Sequence, residues 1–348
     1  MKKKNTKIEL KRVESEYAVD VKNLKVIYKT DASTVYAVNS IDLKLKKGSI
    51  LGLVGETGAG KTTSMLSLLR LIPSPPGIVS AEKIQVNGLN VMNMTPEELC
   101  EIRGSEVSMI FQDPMTSLNP VMSVGEQIAE SVMLHEKVNR DTAMKQAKEM
   151  LKVVGIDPNR ASEYPHQFSG GMRQRVGIAI ALACKPAVLI ADEPTSALDV
   201  TIQAQVLKLM KNLQEAYGSS MILITHDLGV VAEMCDRVAV MYAGRIVEEG
   251  TAEDIFNQTM HPYTEGLFNS LPNIQNRQAR LRPINGLMPD PSNLPKGCAF
   301  ADRCPYATDD CKEHQPKQKM VSDTHMVACM AYDNPEFHIK RREIACQK

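Results

Sequence analysis

The stretch Gly55-Glu56-Thr57-Gly58-Ala59-Gly60-Lys61-Thr62-Thr63 sets three glycines against a lysine and three hydroxyls. Glycines let successive backbone N–H groups curl around an anion without Cβ clashes. A helix starting at Lys61 adds unpaired N–H donors and about half a positive charge at its N-terminus. Lys61 can then reach the outer phosphates of a nucleoside triphosphate, and the Thr62 hydroxyl can ligate Mg²⁺. A plain turn joining a strand to a helix explains the glycines but not the lysine and threonine beside them. Further on, AVLIADEP (Ala187 to Pro194) ends an apolar run in two carboxylates. Asp192 is placed to hold Mg²⁺ through its water shell, and Glu193 to orient or deprotonate an attacking water. Alone, such a pair reads as solvated charge at a strand end; beside the phosphate loop it completes a hydrolytic site. MILITHD brings His226 to the same sheet edge, where a γ-phosphate contact is expected.

These groups need a scaffold of parallel strands. Ile50 to Val54 runs straight into the glycine loop, and an amphipathic helix follows it. The run before Asp192 is aliphatic and β-branched, as suits a strand covered on both faces. At 348 residues the chain has room for about two domains. Lysine plus arginine equals aspartate plus glutamate, 41 of each, so no global charge points to a nucleic-acid partner. The basic run MKKKNTKIELKR reads as a solvated tail, and no apolar segment follows it to make a signal peptide. The longest nearly apolar run, Val176 to Cys184, is far short of the ~20 residues of a spanning helix. A soluble, cytosolic protein is the expectation. Composition shifts near Thr251, where proline-rich sequence and then cysteines begin. The expected layout is a tail over 1–16, a main domain over 17–250, an appended lobe over 251–333 and a polar terminus over 334–348.

FSGGMRQRVGIAIALACKP, from Phe168 to Pro186, puts Ser169 at the cap of an amphipathic helix behind Gly170 and Gly171. Such a helix start is an anion site lacking its own anion. It resembles the signature motif of ABC-type ATPases, with Met172 in place of the usual glutamine. Other ABC-type elements match in order. Gln112 in MIFQDP resembles the Q-loop glutamine, which senses Mg²⁺ beside Thr62 and Asp192 and faces the membrane partner, Asp199 in SALD the D-loop aspartate, and His226 the switch histidine. Tyr28 resembles the adenine-stacking aromatic, with Tyr36 as a nearby rival. The resemblance implies an α/β P-loop NTPase of ABC type. It would have a RecA-like parallel sheet core, an antiparallel β subdomain, and a helical signature subdomain over about 113–182. It also implies a head-to-tail dimer in which Ser169, Gly170, Gly171, Met172 and Asp199 face ATP bound to the partner.

The resemblance narrows further through YPHQFSGGMRQR, ADEPTSALDVTIQAQ, HPYTEGLFNSLP and RLRPINGLMPDP, which look like the ATPase subunits of oligopeptide and dipeptide importers. It implies a motor that couples ATP hydrolysis to peptide uptake from the cytoplasmic face of the membrane. Implied partners are two permease subunits, a second ATPase subunit (a related one ahead of a second copy) and, indirectly, an extracytoplasmic binding protein. Nickel chelates, glutathione or sugars are alternative cargoes. A soluble ABC-type ATPase acting on ribosomes or DNA is the rival reading, and it usually shows two ATPase domains or a long coiled-coil insertion.

Cys298, Cys304, Cys311 and Cys329 gather in the terminal lobe. A reducing compartment disfavours disulfides. Four thiolates in a small lobe favour a stapling metal. Zinc ribbons use tighter pairs than these, and an iron–sulfur cluster tolerates the wider gaps. The peptide-importer resemblance points to a 4Fe–4S cluster; zinc, with His314 or His325 replacing one cysteine, stays open, as do unligated thiols or disulfides. A structural staple is the simplest role, and a redox or metal sensor acting on the ATPase is compatible with it. Cys100, Cys184 and Cys235 read as ordinary thiols in or near the core, and Cys346 as part of a mobile terminus.

Overall fold

Alternation of apolar and polar residues opens the described chain. In β2 (Thr34–Lys46), Ile41, Leu43 and Leu45 are buried while Asp42, Lys44 and Lys46 face out. That period of two is what a sheet with one wet face requires. The computed structural model describes residues 10–196, 198–270 and 283–339. Cys346 lies outside the described residues, as does most of the basic tail.

β1 (Tyr17–Lys29) pairs antiparallel with β2, and β3 (Ile50–Val54) leads into α1 (Lys61–Leu68). Then β4 (Gly77–Ser80) and β5 (Lys83–Val86) both pair with β1, and β6 (Leu89–Asn90) pairs with β5. These strands form an antiparallel sheet of order β2-β1-β5-β6, with β4 beside β1. Its inner face packs on the main sheet through Leu24, Val26, Leu43, Leu53, Ile190 and Ile222.

After α2 (Pro96–Ile102) and β7 (Val107–Ile110) comes a helical layer. It holds α3 (Pro114–Ser117), α4 (Val124–Glu136), α5 (Arg140–Val153) and α6 (Gly170–Leu182). The chain returns through β8 (Val188–Asp192), α7 (Val200–Tyr217), β9 (Ser220–Ile224), α8 (Leu228–Met234), β10 (Arg237–Tyr242) and β11 (Arg245–Thr251). Strands β10, β3, β9, β8 and β7 run parallel in that order. All residues of β3, β8 and β9 are buried, which explains their unbroken apolar sequence.

The region after Thr251 does not hang free. α9 (Ala252–Asn257) and α10 (Pro262–Asn269) pack beside the sheet, followed by α11 (Asp309–Glu313). β12 (Lys319–Met320) and β13 (Met326–Val327) then extend the main sheet beyond β11. A buried polar knot fixes this join. The Glu248 carboxylate, with no exposure, accepts from the backbone N–H groups of Met260 (2.6 Å) and His261 (3.0 Å). It also meets His325 Nε2 at 2.9 Å. Such a charge is tolerable inside because each oxygen has a partner. Among the described residues no helix is long and apolar enough to cross a membrane.

Candidate functional site

β3 delivers the glycine loop and α1 receives it, so the backbone must turn sharply between two rigid elements. Gly55 has φ 150° and Gly60 φ 100°. A Cβ on Gly55 would collide with the Met241 carbonyl, and one on Gly60 with the Ala37 carbonyl. Only glycine fits either place. Lys61 is 7% exposed and folds back over the loop. Its Nζ donates to the carbonyls of Gly55 (2.7 Å) and Glu56 (2.9 Å). Burial pulls its pKa down, against the nearby carboxylates of Glu193, Asp192 and Glu56.

Asp192 ends β8 at 3% exposure. Burial raises its pKa, and a hydrogen bond with the Thr62 side chain opposes that shift. Glu193 follows with φ 45°, a left-handed conformation that a non-glycine residue adopts at a cost. Its N–H is held by the Ile224 carbonyl at 2.9 Å. The side chain is 16% exposed, with Oε1 3.4 Å from His226 Nδ1. Its Oε2 accepts from Gln112 Nε2 at 3.1 Å. The structure thus brings Lys61, Thr62, Asp192, Glu193, Gln112 and His226 to one sheet edge.

Ser169 caps α6 by accepting from the Met172 N–H at 3.4 Å, and Asp199 caps α7 through the N–H groups of Thr201 and Ile202. Gly171 is needed within the chain, because a Cβ there meets Ile202. Gly170 is exposed, and a Cβ on it meets nothing within 4 Å. Tyr28 pairs with Val35 across β1 and β2, and Tyr36 with Ile27, so both tyrosines sit at one end of the hairpin. Tyr28 packs half-buried on the inter-sheet core, whereas Tyr36 is 43% exposed.

With this geometry in view, comparison with known proteins is decisive. Residues 38–196 match the family described as ABC transporter, and residues 247–311 match the oligopeptide/dipeptide transporter C-terminal region. The oligopeptide transport ATP-binding protein AppD of Bacillus subtilis is 48% identical over 319 residues, which is 90% of this chain and 97% of that one. The chain belongs to the ABC transporter ATP-binding proteins of the oligopeptide and dipeptide group. The dipeptide transport ATP-binding protein DppD of Bacillus subtilis is also 48% identical, covering 93% of this chain and 97% of its own. Among solved structures, a dimeric post-hydrolysis state of the ATP-binding cassette MJ0796 with ADP and Pi aligns at TM-score 0.61 and 27% identity. It covers 67% of this chain and 98% of that chain. This protein is thus an ABC-type P-loop ATPase.

In this ABC ATPase the four lobe cysteines line one cavity with His261, Phe300, Tyr306 and Met330 among its other walls. Burial is the main cause that raises the Cys298 pKa and pushes Cys304 up to about 12 and Cys329 to about 11. The four thiols also influence one another electrostatically. All seven described cysteines are free. Among the described residues no group of three or more His, Cys, Asp or Glu side chains is set to hold a metal ion. The two histidines suggested as zinc ligands point elsewhere. His325 is bound to Glu248, His314 Nδ1 lies 2.8 Å from Asp310 Oδ1, and neither lines the cavity. The singly scattered cysteines differ: Cys235 is buried, Cys184 half-buried and Cys100 exposed.

Sequence reasoning missed the groups behind the phosphate loop. The Tyr263 hydroxyl accepts the Glu56 N–H at 2.8 Å, and Arg303 from the cysteine lobe pairs with the Glu56 carboxylate. His261-Pro262-Tyr263 stands out in the sequence as a motif, but no local spacing links it to residue 56.

Proposed function

We propose that this chain is the ATP-hydrolysing motor of a di- or oligopeptide importer, acting with two permease subunits and a second ATPase subunit at the cytoplasmic face of the membrane. The observation that carries this reading is the convergence of Lys61, Asp192, Glu193, Gln112 and His226 on one sheet edge, in a chain nearly half identical to peptide transport ATP-binding proteins. The loop amides and Lys61 bind the triphosphate. Thr62 and Asp192, with Gln112 beside them, would hold Mg²⁺, which supplies charge neutralisation at the phosphates. Glu193 takes the proton of the attacking water, and His226 and Gln112 fix its carboxylate. Tyr28 or Tyr36 stacks on the base.

Gly170 speaks for the dimer. Among the described residues a Cβ on exposed Gly170 would meet nothing within 4 Å, so this helix start lies open to a partner. Val200, next to Asp199, is 83% exposed on the same helix cap. Both observations suit a signature face laid on the ATP of a partner subunit. An apolar groove lined by Met109, Phe111, Leu118 and Ile180 opens beside Gln112 and gives a permease segment its seat. Nickel chelates, glutathione and sugars remain rival cargoes, since the motor does not touch the solute. Uptake of a labelled peptide panel in a strain lacking this chain tests the cargo. Complementation restoring di- and oligopeptide uptake is the expected result, and restoration of another solute alone would overturn it.

The four cysteines line one cavity, and their wide sequence gaps favour an iron–sulfur cluster over the tighter pairs of a zinc ribbon. Cys298, Cys304, Cys311 and Cys329 would ligate that 4Fe–4S cluster, which supplies a covalent staple for the lobe. Protein purified without oxygen should carry about four irons and four sulfides per chain, with absorbance near ~400 nm. Cys304→Ser should lower that content and increase proteolysis of the lobe. One zinc without sulfide, or no metal, removes the cluster and leaves the ATPase reading untouched.

A further inference from the structure

The cysteine lobe reaches the phosphate loop through Arg303. Arg303 ends a 3-10 turn, Ala301–Arg303, directly before Cys304. Its Nη1 donates to Glu56 Oε2 at 2.8 Å and its Nη2 to Glu56 Oε1 at 3.0 Å. The same guanidinium donates to the Tyr242 hydroxyl (3.2 Å) and the Asn285 carbonyl (3.0 Å). Its side chain is 7% exposed, against 30% for Glu56. Two-point pairing of this kind fixes direction as well as distance. The Tyr263 hydroxyl meanwhile anchors the backbone of the same glutamate, and Phe300 packs edge-on against both Tyr242 and Tyr263.

Glu56 is an awkward residue for its place. It directly follows Gly55 in a loop whose other groups gather positive potential for phosphates, and its charge acts on Lys61. A carboxylate left unneutralised there repels a polyanion. We propose that Arg303 is a positioning residue for nucleotide binding: it neutralises Glu56, holds its carboxylate back from the phosphate cradle, and so makes ATP affinity depend on the cysteine lobe. The proposal rests on the nucleotide-site reading above.

The test is equilibrium binding of ATP, ADP and AMP to the full chain. Arg303→Met should weaken ATP binding at least tenfold, ADP less, and AMP least, because the freed charge acts on the phosphates. Adding Glu56→Gln to Arg303→Met should restore ATP affinity to within about threefold of wild type, since no charge then needs neutralising. If Arg303→Met does not fold, Arg303→Lys serves, keeping the charge but losing the two-point geometry. It should give a smaller loss with the same ranking of nucleotides. Unchanged ATP binding overturns the proposal, and so does an equal loss for all three nucleotides or one that Glu56→Gln fails to relieve. Lys61→Ala separates the two levels: if it too leaves affinity unchanged, the nucleotide site itself is misassigned.

Discussion

Glu193→Gln yields a protein that binds MgATP and does not turn it over. The carboxylate has two partners, Gln112 and His226, and sits in a left-handed backbone conformation pinned by Ile224. An amide of the same shape can still accept from Gln112, so the site keeps its form. What disappears is the ability to take a proton from water. General-base removal costs about 10²–10⁴-fold in rate, and steady-state phosphate release should fall by that amount. ATP binding should stay within a few-fold of wild type. On the proposed pairing, hydrolysis reopens the closed pair, so ATP should shift the variant, with its partner subunit present, to a stable dimer on size exclusion. Phosphate release near the wild-type rate would assign the proton transfer to another group, and His226 would be the next to replace.

The phosphate loop, the two strand-end carboxylates and the signature helix were legible because each is local. Every one joins a strand or helix of definite pattern to polar residues a few positions away, and β3, β8 and α6 form where that pattern places them. The residues behind the loop were not legible for the opposite reason. Arg303 and Glu56 are 247 positions apart, and nothing in either neighbourhood marks the other as its partner. The same holds for Glu248, which nothing in the sequence singled out, and His325, which it offered only as a spare zinc ligand. Burial decides both cases. A charge enclosed by the fold, the Arg303 guanidinium in one pair and the Glu248 carboxylate in the other, recruits whatever partner the topology brings to it. The two short strands β12 and β13 were also invisible, since two-residue strands have no period to read. They matter because they bind the lobe to the ATPase sheet, so the cysteines sit on the motor and not on a tether.

Lys61→Ala should raise the dissociation constant for ATP about a hundredfold, the scale of losing a buried charged hydrogen-bond partner. Its ammonium, 7% exposed, is held by the carbonyls of Gly55 and Glu56. Those carbonyls belong to the loop whose N–H groups must face the phosphates, so the lysine both shapes the cradle and supplies its charge. The two roles predict different residues of function. Lys61→Arg keeps the charge but is too broad for the same pair of carbonyls. If charge alone matters, it restores affinity; if loop shape matters as well, it recovers only part. We expect partial recovery, because burial already lowers the lysine's pKa and leaves its ammonium dependent on these carbonyls and on the carboxylates of Glu193, Asp192 and Glu56. ATP affinity of Lys61→Ala equal to wild type would mean that the phosphates bind elsewhere, and the convergence of Asp192, Glu193 and His226 on this sheet edge would then need another explanation.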